Sequence, residues 1–331
     1  MHIGIDIGYS SVKLIHGTES DPAAAIMPIG AAPRAQMKRG SDYGLDESAG
    51  QIVTIDGEEW VAGVETSLIQ GFTPWMDSNY PRSAEYLALF RSALRRAGVR
   101  EVQSLVIGLP VSQWKQEAER KALKGRLEGT HHIHDDLSVD VKKVEVLAAP
   151  AGALVHHLCV QRALPQDQRI EKDETVLIMD PGHFSMGWTI FKRGFDTASA
   201  GSTSNAGESI IRSTAQALSD QTGLNIRASR LEQAIALGQE TVTAGLQEIC
   251  FHDALEAQVQ RTASANIRVI SARVRHVEAE RRIDVILVTG GWANLFAPTL
   301  ASSFPQARII ITPDHLLANA RGYHRAASRH G

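Results

Sequence analysis

Two aspartates, Asp6 and Asp180, close apolar runs, and each is followed at the same offsets by a glycine, a serine and an apolar residue. The first set reads Ile5-Asp6-Ile7-Gly8-Tyr9-Ser10-Ser11-Val12-Lys13 and the second Met179-Asp180-Pro181-Gly182-His183-Phe184-Ser185-Met186. A tight turn whose backbone N–H groups converge cradles phosphate oxygens, and small residues such as Gly8, Ser10 and Ser11 let a ligand come close. Lys13 adds a point charge. A carboxylate at a strand end, Asp6 or Asp180, suits magnesium through one or two oxygens, with water in the remaining positions. One Asp-x-Gly after an apolar run is usually an ordinary turn. Two at corresponding points of two halves imply a duplicated fold, in which facing turns would clamp a triphosphate. A third pattern, Val288-Thr289-Gly290-Gly291-Trp292-Ala293-Asn294, follows a continuous apolar run. Its glycine pair either caps the strand or offers a flat backbone platform for a nucleotide base.

The elements that must hold these residues follow from periodicity. Residues 3–15 read as a hairpin, and 51–61 as a second one around Asp56-Gly57, a favoured tight turn. Residues 20–50, rich in Ala, Gly, Pro and Ser, read as irregular connections and short strands of an inserted subdomain. The spacing of Leu87, Leu89, Phe90, Leu94 and Ala97 predicts a helix over 83–97, capped by Gly98. A buried strand over 102–109, a charged helix over 115–127 and a strand over 144–147 come next. Pro150-Ala151-Gly152 opens a helix over 153–164. The polar stretch 165–174 is the expected boundary. In the second half, strands are expected at 176–179, 285–288 and 308–311. Helices are expected at 209–219, 231–237, 241–276, 292–300 and 315–328.

A chain of 331 residues is long enough for about two domains, each with its own core. Hydrophobic residues at 43% and charged residues at 21% are those of a folded globular protein, and no run of apolar residues is long enough to span a membrane. Cytoplasmic residence is expected. A net charge of −3 gives the bulk surface no attraction for nucleic acid. Cys159 and Cys250 lack metal or redox spacing and read as buried thiols.

Together these residues resemble the actin, sugar-kinase and heat-shock chaperone superfamily of ATPases. Within it the chain looks most like the plasmid-segregation actins of the ParM/StbA type. The features that carry this are Lys13, the Gly108-Leu109-Pro110-Val111 strand end, Pro150-Ala151-Gly152, and Ala318-Asn319-Ala320-Arg321-Gly322-Tyr323. The resemblance implies an α/β duplicated actin-like (ribonuclease H-like) fold, two domains around a nucleotide cleft. Domain I would span 1–165 with an inserted subdomain at about 20–80, and domain II 175–319 with a helical subdomain at about 220–282. Residues 320–331 would pack back on domain I. It also implies ATP or GTP with magnesium, held by Asp6 and Asp180. The first phosphate loop would contribute Gly8, Tyr9, Ser10, Ser11 and Lys13, and the second Gly182, His183, Phe184 and Ser185. Gly290, Gly291, Trp292 and Asn294 would form the adenosine site, and Gly207, Glu208 and Arg212 the nucleotide edge, where Glu208 accepts a ribose hydroxyl or simply favours a helix start.

Two departures stand out. Relatives place a glutamate or glutamine just before the Pro-Ala-Gly helix to position the attacking water, whereas Leu147-Ala148-Ala149 stand here, with Glu145 the nearest acid. The second loop carries Pro181 and His183 where relatives favour small residues, and Gly187 where they often carry an acid. Asp180, with Glu145 as a weak second, is the catalytic candidate, and slow or assembly-dependent hydrolysis is the consequence.

The resemblance further implies a head-to-tail filament of identical subunits and a DNA-bound adaptor, with no direct nucleic-acid or membrane contact. A small-molecule kinase of the same superfamily and a non-polymerising ATP-dependent regulator stay open as alternatives. His131, His132 and His134 beside Asp135 and Asp136 read as a solvated polar loop rather than a metal site, and His156 and His157 likewise as solvated. Arg268, Arg273, Arg275, Arg281 and Arg282, interleaved with Glu278 and Glu280, read as a solvated helix face, with contact to a neighbouring subunit as the alternative.

Overall fold

In the first strand, Ile3, Ile5 and Ile7 enter an apolar core, so alternation turns Gly4 and Asp6 to the opposite face. A computed structural model describes residues 1–38, 50–73, 75, 78–278 and 282–329, with the backbone alone at 275–278. The chain divides into one unit of Met1–Arg169 with Thr312–Gly331 and another of Ile170–Ile311. The chain from 312 onward therefore groups with the first unit, earlier than the expected 320.

The first unit runs β1 (His2–Ile7), β2 (Ser11–Gly17), β3 (Pro22–Pro28), β4 (Gly30–Pro33), β5 (Gln51–Ile55), β6 (Glu58–Val64) and α1 (Ala84–Ala97). There follow β7 (Glu101–Val102), β8 (Ser104–Leu109), α2 (Val111–Trp114), α3 (Glu117–Leu127), β9 (Gly129–His134), β10 (Leu137–Val141), β11 (Val144–Ala148) and α4 (Ala149–Val160). Its main sheet has the order β11-β8-β1-β2-β3, with β1, β8 and β11 parallel and β1-β2-β3 an antiparallel meander. Because β3 pairs along the whole of β2, residues 22–28 belong to this sheet and not to an insert. The β4-β6-β5 sheet lies beyond it in sequence, turning at Asp56-Gly57 with φ of 50° and 83° as a tight hairpin demands. Residues 39–49 of the expected irregular stretch lie outside the described residues.

The second unit runs β12 (Val176–Pro181), β13 (Met186–Phe191), β14 (Phe195–Thr203), α5 (Gly207–Thr222), α6 (Ala228–Ala236), β15 (Thr241–Ala244), β16 (Gln247–Cys250), α7 (His252–Glu278), β17 (Val285–Val288), α8 (Ala293–Ser303) and β18 (Arg308–Ile311). Its main sheet, β14-β13-β12-β17-β18, repeats the first strand for strand and direction for direction. Each sheet covers its own apolar core, Leu89, Phe90 and Leu105 among the buried residues of one and Trp188, Ile210 and Phe296 among those of the other.

The last helix, α9 (Ala318–Arg329), packs on β1 and β8 of the first unit and along α4. A Cβ on Gly4 would overlap the backbone at Ala320 and His324, and one on Gly322 would overlap the carbonyl of Gly152. These contacts need bare backbone. Asn319 Oδ1 accepts the N–H of Ala153 at 3.0 Å, and the Tyr323 hydroxyl donates to the carbonyl of Ala149 at 3.0 Å. The Pro-Ala-Gly and Ala-Asn-Ala-Arg-Gly-Tyr stretches are thus two sides of one helix crossing.

Several expectations fail for local reasons. Residues 241–250 form a hairpin instead of the start of a long helix, because β-branched Thr241, Val242 and Thr243 precede Gly245, which turns the chain at φ 62°. The expected histidine loop is the β9-β10 hairpin, in which His131 and Ile133 point inward and Asp135 makes the turn at φ 47°. His131, His156 and His157 are buried, where solvated side chains were expected. Cys250 is exposed and Cys159 partly so, against the expected buried thiols, since each falls at the edge of an element. Helix α4 begins at Ala149, before the expected 153, and α9 begins after the expected 315. Of the arginine-rich stretch, Arg281 and Glu280 lie outside the described residues. No helix among the described residues is long and apolar enough to cross a membrane.

Candidate functional site

The first turn joins β1 to β2 with Asp6 opposite Lys13 and Ile7 opposite Val12. The Gly8 N–H donates to the Ser11 carbonyl at 3.1 Å and closes it. Lys13 Nζ lies 3.1 Å from Asp6 Oδ2, a half-buried pair that fixes the carboxylate at the strand end. Tyr9 stacks on Tyr80 with centroids 5.1 Å apart, and Ser10 points into solvent. Burial drives the Tyr80 phenol well above its ordinary pKa, helped by Tyr9 and Glu85, so it stays neutral and keeps its proton to donate.

The second turn reproduces the first. Asp180 stands opposite Gly187 and Pro181 opposite Met186, and the Gly182 N–H donates to the Ser185 carbonyl at 3.0 Å. Where the first turn has Lys13 opposite its aspartate, this one has a glycine. Its carbonyls point to the start of α5, where the Gly207 N–H reaches Gly182 at 3.2 Å and the Glu208 N–H reaches His183 at 2.7 Å. Arg212, one helical turn on, pairs with Glu208 at 3.1 Å.

The glycine pair after β17 closes on the same place. Thr289 donates to the Met179 carbonyl at 2.8 Å and Trp292 to the Pro181 carbonyl at 3.1 Å. Gly290 holds φ 84°, and a Cβ there would overlap Asp180 Oδ1. The second unit therefore assembles Asp180, Gly182, His183, Gly207, Glu208, Gly290 and Trp292 from three separated segments. Phe184 and Ser185 are half-buried on the turn, and Gly291 and Asn294 are exposed beside it. Trp292 is 8% exposed, and its indole fills the space over Gly207.

Glu145 is not brought to the Asp6 end. Strand register sets it level with Val106 and Gly4, while Leu147 stands level with Gly108, one pleat further along, and packs toward Tyr323. What the sequence did not show is who braces the turns, since Tyr80 and Glu232, which touch Tyr9 and His183, sit in unremarkable polar surroundings.

The residues fit magnesium by donor chemistry. Each aspartate is a partly buried carboxylate at a strand end beside a turn, which offers oxygen to a hard cation that keeps most of its water. Among the described residues no group of three or more His, Cys, Asp or Glu forms an all-protein metal cage.

A five-stranded sheet built twice, with an aspartate-bearing turn after the first strand of each copy, is the actin-like fold. Residues 4–152 match the family described as actin like proteins, N terminal domain. Curated proteins give no sequence match. Among solved structures, an archaeal actin homolog in complex with ADP has a TM-score of 0.76 at 18% identity, over 99% of this chain and 100% of its own. A non-polymerisable quadruple mutant of pCBH ParM gives 0.72 at 16% identity, over 99% and 98%. The 15-stranded ParM filament from Clostridium botulinum gives 0.71 at 15% identity, over 99% and 98%. In fold the chain is actin-like from end to end, similar to the ParM proteins and to the archaeal homolog.

Proposed function

We propose that this chain is an ATP-binding and hydrolysing actin-like protein that polymerises into filaments used in plasmid DNA segregation. The observation that carries the nucleotide reading is the repeated turn, with one register, one closing hydrogen bond and one preceding aspartate in each unit. In this reading Gly8, Tyr9, Ser10, Ser11 and Lys13 and, in the other unit, Gly182, His183, Phe184 and Ser185 hold phosphate oxygens. Asp6 and Asp180 hold magnesium, whose chemistry when bound is to neutralise phosphate charge. Glu208 with Arg212 meets the ribose, and Gly290, Gly291 and Asn294 meet the base. Support for self-assembly comes from the ParM filament of similar fold. A DNA-bound adaptor would then link the polymer to its cargo, and the protein would work in the bacterial cytoplasm.

The rate expectation follows from the strand register. Leu147, where relatives carry a water-orienting side chain, offers no hydrogen bond, and Glu145 sits one pleat back. Binding therefore survives while water positioning is weak, and hydrolysis is slow until assembly supplies what the subunit lacks.

Light scattering of the purified chain with ATP and magnesium, followed by electron microscopy, tests this. Filaments that form with ATP and are lost in Asp180→Ala are expected. Nucleotide binding without any polymer would remove the filament reading, and rapid turnover by the unassembled subunit would contradict the rate expectation.

A further inference from the structure

The register of the two hairpins does not require one feature they share. In each unit the residue after the turn glycine, Tyr9 or His183, is tied to a helical segment outside the main sheet of that unit. Tyr9 leans on Tyr80 at 33° between ring planes, and Tyr80 meets Tyr86 edge-on at 5.3 Å. The Tyr80 hydroxyl points back at the Gly8 carbonyl, 3.5 Å away. Both Tyr80 and Tyr86 are buried, so this brace is fixed by packing. In the second unit, Nδ1 of His183 lies 3.5 Å from Oε1 of Glu232 on α6, while the His183 carbonyl holds the first turn of α5.

Two different chemistries, an aromatic stack and a polar bridge, thus occupy equivalent positions. Neither helical segment belongs to the five strands that the units have in common, so the two ties are not inherited from the repeat itself. Their shared effect is on the turn: a residue held at its side chain cannot swing, and the peptide groups on either side of it keep one orientation.

We propose that Tyr80 and Glu232 are positioning residues that set the aim of the two phosphate turns. Each acts through the turn residue it holds. The proposal rests on the nucleotide reading above, and it adds that the segments carrying Tyr80 and Glu232 tune triphosphate affinity.

The test is titration of the full chain with a fluorescent ATP analogue in magnesium, alongside thermal melting. Tyr80→Ala and Glu232→Ala are expected to weaken binding by roughly tenfold, with Glu232→Ala, at a half-exposed position, melting close to the parent and Tyr80→Ala, which empties a buried site, melting lower but still folded at the temperature of the titration. Tyr80→Phe, which keeps the stack, and Glu232→Gln, which keeps an oxygen facing His183, are expected to restore affinity to within about threefold. Where Tyr80→Ala fails to fold, Tyr80→Leu, which fills the space without a ring, stands in for it. Alanine variants that bind as the parent does, or conservative variants as weak as the alanines, would overturn the proposal. A parent chain that binds no nucleotide would instead remove the reading beneath it, and this proposal with it.

Discussion

Gly290 carries two constraints at once, a left-handed backbone at φ 84° and a carboxylate oxygen of Asp180 where a side chain would begin. Gly290→Ala is expected to cost about 2–4 kcal/mol in urea unfolding, combining backbone strain with overpacking. A loss below about 1 kcal/mol would show that the turn relaxes around a methyl group. The sequence made the aspartates, the turn glycines and the glycine pair visible, because strand ends and tight turns use a small set of residue types. It did not show that Gly290 is packed on Asp180, a contact between residues far apart in the chain. The packing of Trp292 was hidden for a related reason. An aromatic beside a glycine pair looks available to a ligand until Gly207, on another helix, proves to be the floor it stands on.

At the level of elements, the crossing of α4 and α9 depends on Gly152 and Gly322 meeting backbone to backbone, with Tyr323 locked over the sheet. Removing the Tyr323 hydroxyl in Tyr323→Phe is expected to cost about 1 kcal/mol, one hydrogen bond. Gly322→Ala must part the two helices and is expected to cost about 3 kcal/mol or more. Denaturant midpoints for the pair check this order, and a Gly322→Ala no worse than Tyr323→Phe would sink the account. Strands with strong apolar alternation or continuous apolar runs, such as β1, β8, β12 and β17, were legible from their own residues. The β9-β10 and β15-β16 hairpins were not, because an inward residue of β9 is a histidine, which carries no apolar signal, and β15-β16 bury only Val242, Ala244 and part of Ile249, too few to mark a strand. Helix α7 continued their polar pattern and absorbed β15 and β16 into a false helix.

Across the whole molecule, the repeated strand order explains why duplication was readable before any element was placed, since both copies keep the same residues at the same offsets. The two units differ in their titratable cores. His16, His131, His156, His157 and His324 all belong to the first unit, and burial lowers the pKa of each, that of His156 to about 4 with Arg325 and Arg321 adding to the effect. Because the folded values lie below the unfolded one, the unfolded chain takes up protons first as pH falls below about 6.5. Stability present above that value is lost as pH moves down toward about 4, on the order of 2 kcal/mol from His156 alone by about pH 5. Urea midpoints at about pH 7 and pH 5 check this, with His156→Gln expected to flatten the dependence. Equal midpoints at the two values would refute it. The grouping of α9 with β1 also bears on how the protein is made. A ribosome delivers β1 early and α9 after every strand of the second unit, so Gly4 and Val106 wait for the helix that covers them. The unit translated second can therefore close its contacts first, while on the nascent first sheet α4 alone covers the face that α9 later completes.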